Sequence, residues 1–314
     1  MNDEDAESDL SVTPPFLPST PFNNPDTDVI LRSSDGVDFH VHRLVLSLAS
    51  GLFKQMFLLP QPPGPQPSSP TIPISEPAVL LDRVLRFWYP GAETVVDTTL
   101  DELRDILEVI IIKYDIQFVV PSAQIRLRTY IFEDPVGVFI VACRQEWKEL
   151  AEEAAKRSLA FPIRAFDSPF PAALNYASTR AYYSFLSYHA ACGRAATMAL
   201  QVEDDDLSDL PGFGCGSDTT ICTADSRGCE FYKNDDQDVM PTWFSACLRL
   251  LAATLSAVPA AAVDTGELRA LARKQTKGCE YCSGQGLEEL TTYLVSLKKT
   301  IDENIDEVEL KLDF

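Results

Sequence analysis

The sequence predicts an α+β fold, with a small sheet and its helical layer at the N-terminal end and a mostly α-helical C-terminal region behind it. Period-two alternation occurs at residues 29–41, where Val29, Leu31, Val37, Phe39 and Val41 mark half-buried strands. From Thr99 onward the apolar residues recur at three and four positions, the spacing of helices with one buried face. A chain of 314 residues with 46% apolar side chains can fill about two such cores without staples.

Taken in order, residues 1–27 read as a disordered acidic, proline-rich tail, because Pro14, Pro15, Pro18, Pro21 and Pro25 accompany many acids and no helical period. The two strands that follow are joined at Asp35-Gly36, a pair suited to a tight hairpin. Two short helices come next. Leu44, Val45 and Leu48 share one face of the first, and Ser50 caps the second, which presents Leu52, Phe53, Met56 and Phe57. "LLPQPPGPQPSSP" is excluded from helix and central strand by its prolines and reads as an insertion.

"TIPIS" is the third strand, and Ser75 is the expected cap of a helix with Pro77 in its first turn and Leu81, Val84, Leu85 and Trp88 at helical spacing. Thr99 and Glu102 predict a capping box ahead of Leu103, Ile106, Leu107, Ile110 and Ile111. Pro121 starts another helix, burying Leu127, Tyr130 and Ile131, and Asp134-Pro135 caps the next, with Val136, Phe139, Ile140, Cys143 and Trp147 on one face. An alanine-rich helix covers about 148–160, and "FPIRAFDSPFP" marks a junction at 161–171. Beyond it the pattern gives helices over 172–201, 242–257, 264–275 and 284–306, separated by an irregular, cysteine-containing stretch to about 240. The stripe Leu287, Leu290, Leu294, Leu297 and Ile301 spans barely two heptads and is expected to pack within its own domain. "EVELKLDF" alternates like a terminal strand.

The charge balance restricts partners. Against 26 basic side chains stand 47 acidic ones, a formal −21 that repels a phosphate backbone in the absence of a segregated basic face. No direct nucleic-acid partner is expected. The acidic N-terminus lacks the features of a secretory or mitochondrial address, and "LLAATLSAVPAAAV" is too short to span a bilayer, so an intracellular chain without a membrane segment is expected. In a reducing compartment the eight cysteines read as buried thiols or metal ligands.

The segment "DVIL" followed by "DFHVHRLVLSLASGLFKQMF" places Asp28, Phe39, His42, Arg43, Leu46, Ser50, Phe53 and Phe57 at the spacing of the BTB/POZ domain, and residues 28–130 resemble that family. The resemblance implies a buried or pocket-lining charge pair between Asp28 and Arg43, with His42 as a packed, hydrogen-bonded core histidine. Burial physics agrees, since a carboxylate among apolar strand residues is tolerated only when paired. The family consists of protein-interaction modules, which implies protein partners: self-association as a homodimer, adaptor or scaffold duty, docking to a cullin-type ubiquitin ligase, or transcriptional regulation. Two departures stand out. The helix that such dimers exchange is replaced by the proline-rich tail, and "LLPQPPGPQP" replaces the apolar-x-Glu element usual in cullin binders. Residues 131–165 then supply post-domain helices, and 172–314 a helical extension with a cysteine-rich irregular segment. Through "YHAACG", "WFSACLRLL" and "CEYC" this extension resembles those of fungal BTB proteins.

Two cysteine motifs raise chemistry. His189 and Cys192 lie three apart on a helix, and Cys279 and Cys282 form a C-x2-C knuckle, together a Cys3His set suited to a structural zinc ion. Cys215, Cys222 or Cys229 could substitute, and buried free thiols are the plainer reading. A zinc-dependent or thiol enzyme in the C-terminal half is the rival hypothesis, but His189 and Cys192 have no orienting third residue in sequence. "EDDDLSDLPGFG" lacks the central Gly and final Glu of a calcium loop, and no phosphate-binding glycine loop is present. The expectation is a non-enzymatic chain with no catalytic residues.

Overall fold

The computed structural model describes residues 16–59, 69–93, 98–163, 172–200, 231–234 and 237–312. The chain divides into two compact units, residues 1–130 and 131–314.

In the first unit, strands β1 (Val29–Arg32) and β2 (Asp38–Val41) pair antiparallel with Val29 opposite Val41 and Leu31 opposite Phe39. Those four side chains point to one face and are buried, as period two requires. The turn between them closes through Gly36 N–H to Ser33 O at 3.0 Å, and Gly36 takes φ +87°, a conformation that costs glycine nothing. Strand β3 (Thr71–Pro73) adds in parallel to the other side of β1, giving the order β2-β1-β3. Helices α1 (Arg43–Ala49), α2 (Gly51–Leu58), α3 (Ala78–Trp88), α4 (Leu100–Leu107) and α5 (Val120–Arg128) form the helical layer.

Local signals placed most caps. Ser50 Oγ accepts Phe53 N–H at 3.2 Å at the start of α2, and Thr99 and Glu102 form the reciprocal capping box of α4. At α3 the expected Ser75 cap is absent, because Pro77 is the N-cap and the acceptor comes from the hairpin turn: Asp35 Oδ1 and Oδ2 take the Ala78 N–H at 3.0 and 3.2 Å. The α4 stripe continues past Leu107 into a π-helical turn, Glu108–Lys113, that keeps Ile110 and Ile111 buried while Ile112 emerges.

Two further expectations about this unit are corrected. Leu44, Val45 and Leu48 do not form a buried face of α1; Leu46 is the buried residue, whereas Leu44 and Leu48 are 68% and 79% exposed. The phase is set before the helix begins, where the His42 N–H donates to Tyr89 Oη at 2.8 Å and aims Leu46 inward. Residues 16–22, in turn, are not part of a disordered tail. Phe22 is wholly buried, 5.3 Å from the Tyr89 ring and 6.2 Å from Phe39, and Phe16 stacks on Phe39 at 6.0 Å. Two phenyl groups anchor a segment whose composition is otherwise that of a tail. Residues 1–15 lie outside the described residues.

The second unit opens with α6 (Pro135–Arg144), capped by Asp134 accepting Gly137 N–H at 2.8 Å, and α7 (Lys148–Ser158) folded back against it. Helix α8 (Thr179–Met198) packs on α9 (Thr242–Ala257) and on α12 (Gln285–Asp306), while α10 (Gly266–Thr276) lies on α9 and the short α11 (Glu280–Ser283) leads into α12. Gly193 permits the α8–α9 approach, since a Cβ there would stand 3.1 Å from Ser256 O. Leu290, Leu294, Leu297 and Ile301 are buried within this unit, as their spacing predicted. Two elements differ from the reading: residues 231–241 contain a two-stranded hairpin, β4 (Phe231–Asn234) and β5 (Gln237–Pro241), and residues 307–312 form no strand. Most of the acidic, cysteine-rich stretch lies outside the described residues.

Candidate interaction surfaces

The residues singled out at the start of the domain do meet, though not as a charge pair. Asp28 is exposed, and its Oδ1 accepts the Arg43 backbone N–H at 2.8 Å. Arg43 opens α1, whose N-cap His42 offers no side-chain acceptor, so Asp28 supplies the carboxylate that the helix N-terminus favours. The Arg43 guanidinium turns elsewhere, donating to the Phe57 carbonyl and lying over the Phe57 ring, 4.7 Å from its centroid. His42 is exposed, which corrects the expectation of a core histidine. These three residues fix the start of α1 from the surface, and the buried salt bridge is absent.

The buried ionic brace is made by residues that sequence reasoning passed over. Glu76, 7% exposed, receives Lys113 Nζ on Oε1 and the Tyr114 hydroxyl on Oε2, the latter at 2.9 Å. Its backbone carbonyl accepts Ser34 N–H at 2.9 Å, and Tyr114 O accepts Ser50 Oγ at 2.6 Å. One cluster thus ties the hairpin turn, the start of α2, the β3–α3 link and the end of the π-helical turn together. Burial, with Glu76 adding to it, pushes the Tyr114 phenol far above its ordinary range, so it stays a donor. A second brace lies on α3. Arg86 Nε donates to Asp82 Oδ2 at 2.7 Å, Nη2 to Ser19 Oγ at 2.6 Å and Nη1 to Thr20 O at 3.3 Å, while the guanidinium faces the Phe22 ring at 5.3 Å. The i,i+4 spacing of Asp82 and Arg86 is the one trace of this in the sequence.

The cysteine motifs do not converge. Among the described residues no group of three or more His, Cys, Asp or Glu side chains is placed to hold a metal ion. His189 Nε2 lies 3.3 Å from Phe161 O, and Cys192 is buried beside Tyr188 on its own helix. Cys282 is buried and donates its backbone N–H to Cys279 Sγ at 3.5 Å, so this C-x2-C closes a turn into α12. The expected set of His189, Cys192, Cys279 and Cys282 is therefore corrected to two separate packing motifs; Cys215, Cys222 and Cys229 fall outside the described residues. Burial raises the Cys192 thiol, and pushes Cys143 up to about 12 and Cys247 to about 11, which leaves these three protonated at neutral pH. Burial also depresses His189, against a smaller opposing effect of the Phe161 carbonyl, so its ring is neutral. The pair has a protonated thiol and a histidine engaged with the backbone, the reverse of an activated nucleophile.

What the first unit does present outward is leucine. Leu44 and Leu48 lie one turn apart on α1, and Leu52 on α2 is 50% exposed. Leu58 and Leu59 at the end of α2 are exposed too. Five outward leucines thus fall within sixteen residues of α1 and α2.

Residues 21–129 match the sequence model of the BTB/POZ domain family. The match starts seven residues before Asp28 and so includes Phe22. No curated protein matches the chain.

Proposed function

From a chain that carries a BTB/POZ domain, a protein-interaction module, over residues 21–129, we propose a non-catalytic adaptor that docks a protein through the outward leucines of α1 and α2. The observation that carries this reading is the exposure of Leu44 and Leu48 on a helix whose inward side already fills its place with Leu46. Apolar area left in water is stabilised when a partner covers it, by about 1.5–3 kcal/mol for each leucine fully enclosed. Self-association would use the surface twice across a two-fold axis, and a different partner would use it once.

The adaptor's finer role is recruitment of a second protein by unit 2 to a cullin-type ubiquitin ligase held by unit 1. The α6–α7 pair immediately after the domain supports it, being placed in sequence where cullin-binding adaptors carry additional helices. The protonated thiols of Cys143, Cys192 and Cys247 speak against any of these three as an activated nucleophile.

The test is affinity capture from cells with the full chain and with the double variant Leu44→Glu, Leu48→Glu, alongside light scattering of both. Partners, or a dimer mass, should be recovered with the unaltered chain and lost with the variant. Identical recovery from both chains would sink the assignment of this surface.

A further inference from the structure

One carboxylate of the second unit is incompletely paired. On α12, Glu289 accepts the Tyr281 hydroxyl at 2.8 Å and the Gln285 side-chain amide at 3.0 Å, both on Oε1. Its Oε2 is buried and has no hydrogen-bond partner among the described residues. A buried carboxylate oxygen without a donor is costly, and native structures complete such a position with a cation, a neutral donor or a water. Glu289 lines a cavity of about 720 Å³ whose described wall is Gly284 and one face of α12. Gln285, Glu289 and Tyr293 stand four apart along that face, with Glu288, Thr292 and Ser296 on the neighbouring row. Two carboxylates therefore line the cavity, and among the described residues no basic side chain does.

The arrangement of acceptors narrows the ligand. A metal ion takes more protein ligands than two carboxylates supply, and among the described residues no group of three or more His, Cys, Asp or Glu side chains is placed to hold one. A guanidinium pairs with a carboxylate through two parallel N–H bonds, one to each oxygen, but Oε1 already accepts two donors. A single open oxygen matches a compact point charge with rotatable donors, which is an ammonium group. Tyr293, set edge-on against Phe244 with ring centroids 5.3 Å apart, supplies an aromatic side on which the methylene stem of such a group can lie.

We propose that this cavity binds a primary ammonium on an aliphatic stem, from a free polyamine or from a lysine side chain of a partner protein, with Glu289 as its anchor. The site lies within the second unit and depends neither on the leucine surface of α1 and α2 nor on the adaptor reading.

Calorimetric titration of the unaltered full chain at low salt, with spermidine and separately with end-blocked glycyl-lysyl-glycine, tests the proposal. At least one should bind saturably at a single site, and the tighter of the two names the source of the ammonium. Glu289→Gln should weaken that binding about 10-fold or more, the loss expected when a charge-assisted hydrogen bond is removed. Glu307→Gln, which removes the same charge from the exposed far end of α12, should leave it unchanged. The peptide with arginine in place of lysine should bind more weakly than the better of the two ligands; equal or tighter binding would overturn the choice of an ammonium. No saturable binding of either ligand would leave Oε2 to a water and refute the site. An equal loss in Glu289→Gln and Glu307→Gln would show only the general attraction of a chain of net charge −21 for cations, and would refute it too. Should Glu289→Gln lose its cooperative urea transition, Glu288→Gln at the exposed rim takes its place, with an expected loss of about threefold, and an affinity equal to that of Glu307→Gln counts as refutation.

Discussion

Replacing Glu76 by alanine should destabilise the first unit far more than replacing Arg43, although the sequence alone points to Arg43. Glu76 is 7% exposed, and its removal strands the Tyr114 hydroxyl without an acceptor. A buried donor left unpaired costs about 1–3 kcal/mol. Breaking a fully buried ion pair costs about 3–5 kcal/mol, but the Lys113 side chain is 40% exposed and can turn to water, so its share falls toward the 0–1 kcal/mol of a surface pair. The sum is about 1–4 kcal/mol. Arg43→Ala removes one stacking contact with Phe57 and one bond to a carbonyl at an exposed site, about 1 kcal/mol. Urea unfolding of the two variants, compared at constant m-value, measures the difference. Tyr114→Phe added to Glu76→Ala should cost little more than Glu76→Ala alone, because both act on the same bond. If Arg43→Ala matched or exceeded Glu76→Ala, the brace described around Glu76 would be wrong.

The remaining predictions concern the second unit. Gly193→Ala ordinarily adds about 1 kcal/mol of helix stability; here the new Cβ meets the Ser256 carbonyl at 3.1 Å, so the urea midpoint should fall. His189 has a folded pKa below its ordinary 6.5, so the unfolded chain binds the proton more readily; its contribution to stability is complete above 6.5 and is lost as pH drops through that value toward the folded pKa. The fall in urea midpoint between pH 7.5 and 5.5 should accordingly be smaller in His189→Gln, and an equal fall in both chains would refute this. Iodoacetamide at pH 7.5 should leave Cys192 and Cys247 unmodified in the folded chain and alkylate them in urea, as peptide mass analysis would read directly.

Features set by near neighbours in sequence were the legible ones. Ser50, the Thr99–Glu102 box, Asp134 and the Asp35-Gly36 turn depend on residues within four positions, and each stands where its pattern placed it. The family resemblance carried by residues 28–57 located the domain, which the family match spans at residues 21–129. Direction was less legible. Helix α1 has only seven residues, about two turns, and a periodicity that short fixes which residues share a face without saying which face is inward. Partners far apart in the chain were not legible at all: Glu76 meets Tyr114 across 38 positions and Arg86 meets Ser19 across 67. The spacing of His189 with Cys192 and of Cys279 with Cys282 was real, but ligand spacing within each half says nothing about whether the halves meet, and the packing of α8 and α11 keeps them as separate motifs.

The carboxylate of Asp35 belongs to a hairpin turn yet serves a helix that begins 43 residues later. A two-strand turn at a protein surface ordinarily tolerates lengthening, because added residues simply loop into solvent. Here any inserted residue that swings Asp35 aside also deprives α3 of the acceptor for its first amide. Turn length and helix position are mechanically linked, and sequence change at residues 33–37 has to be compatible with both.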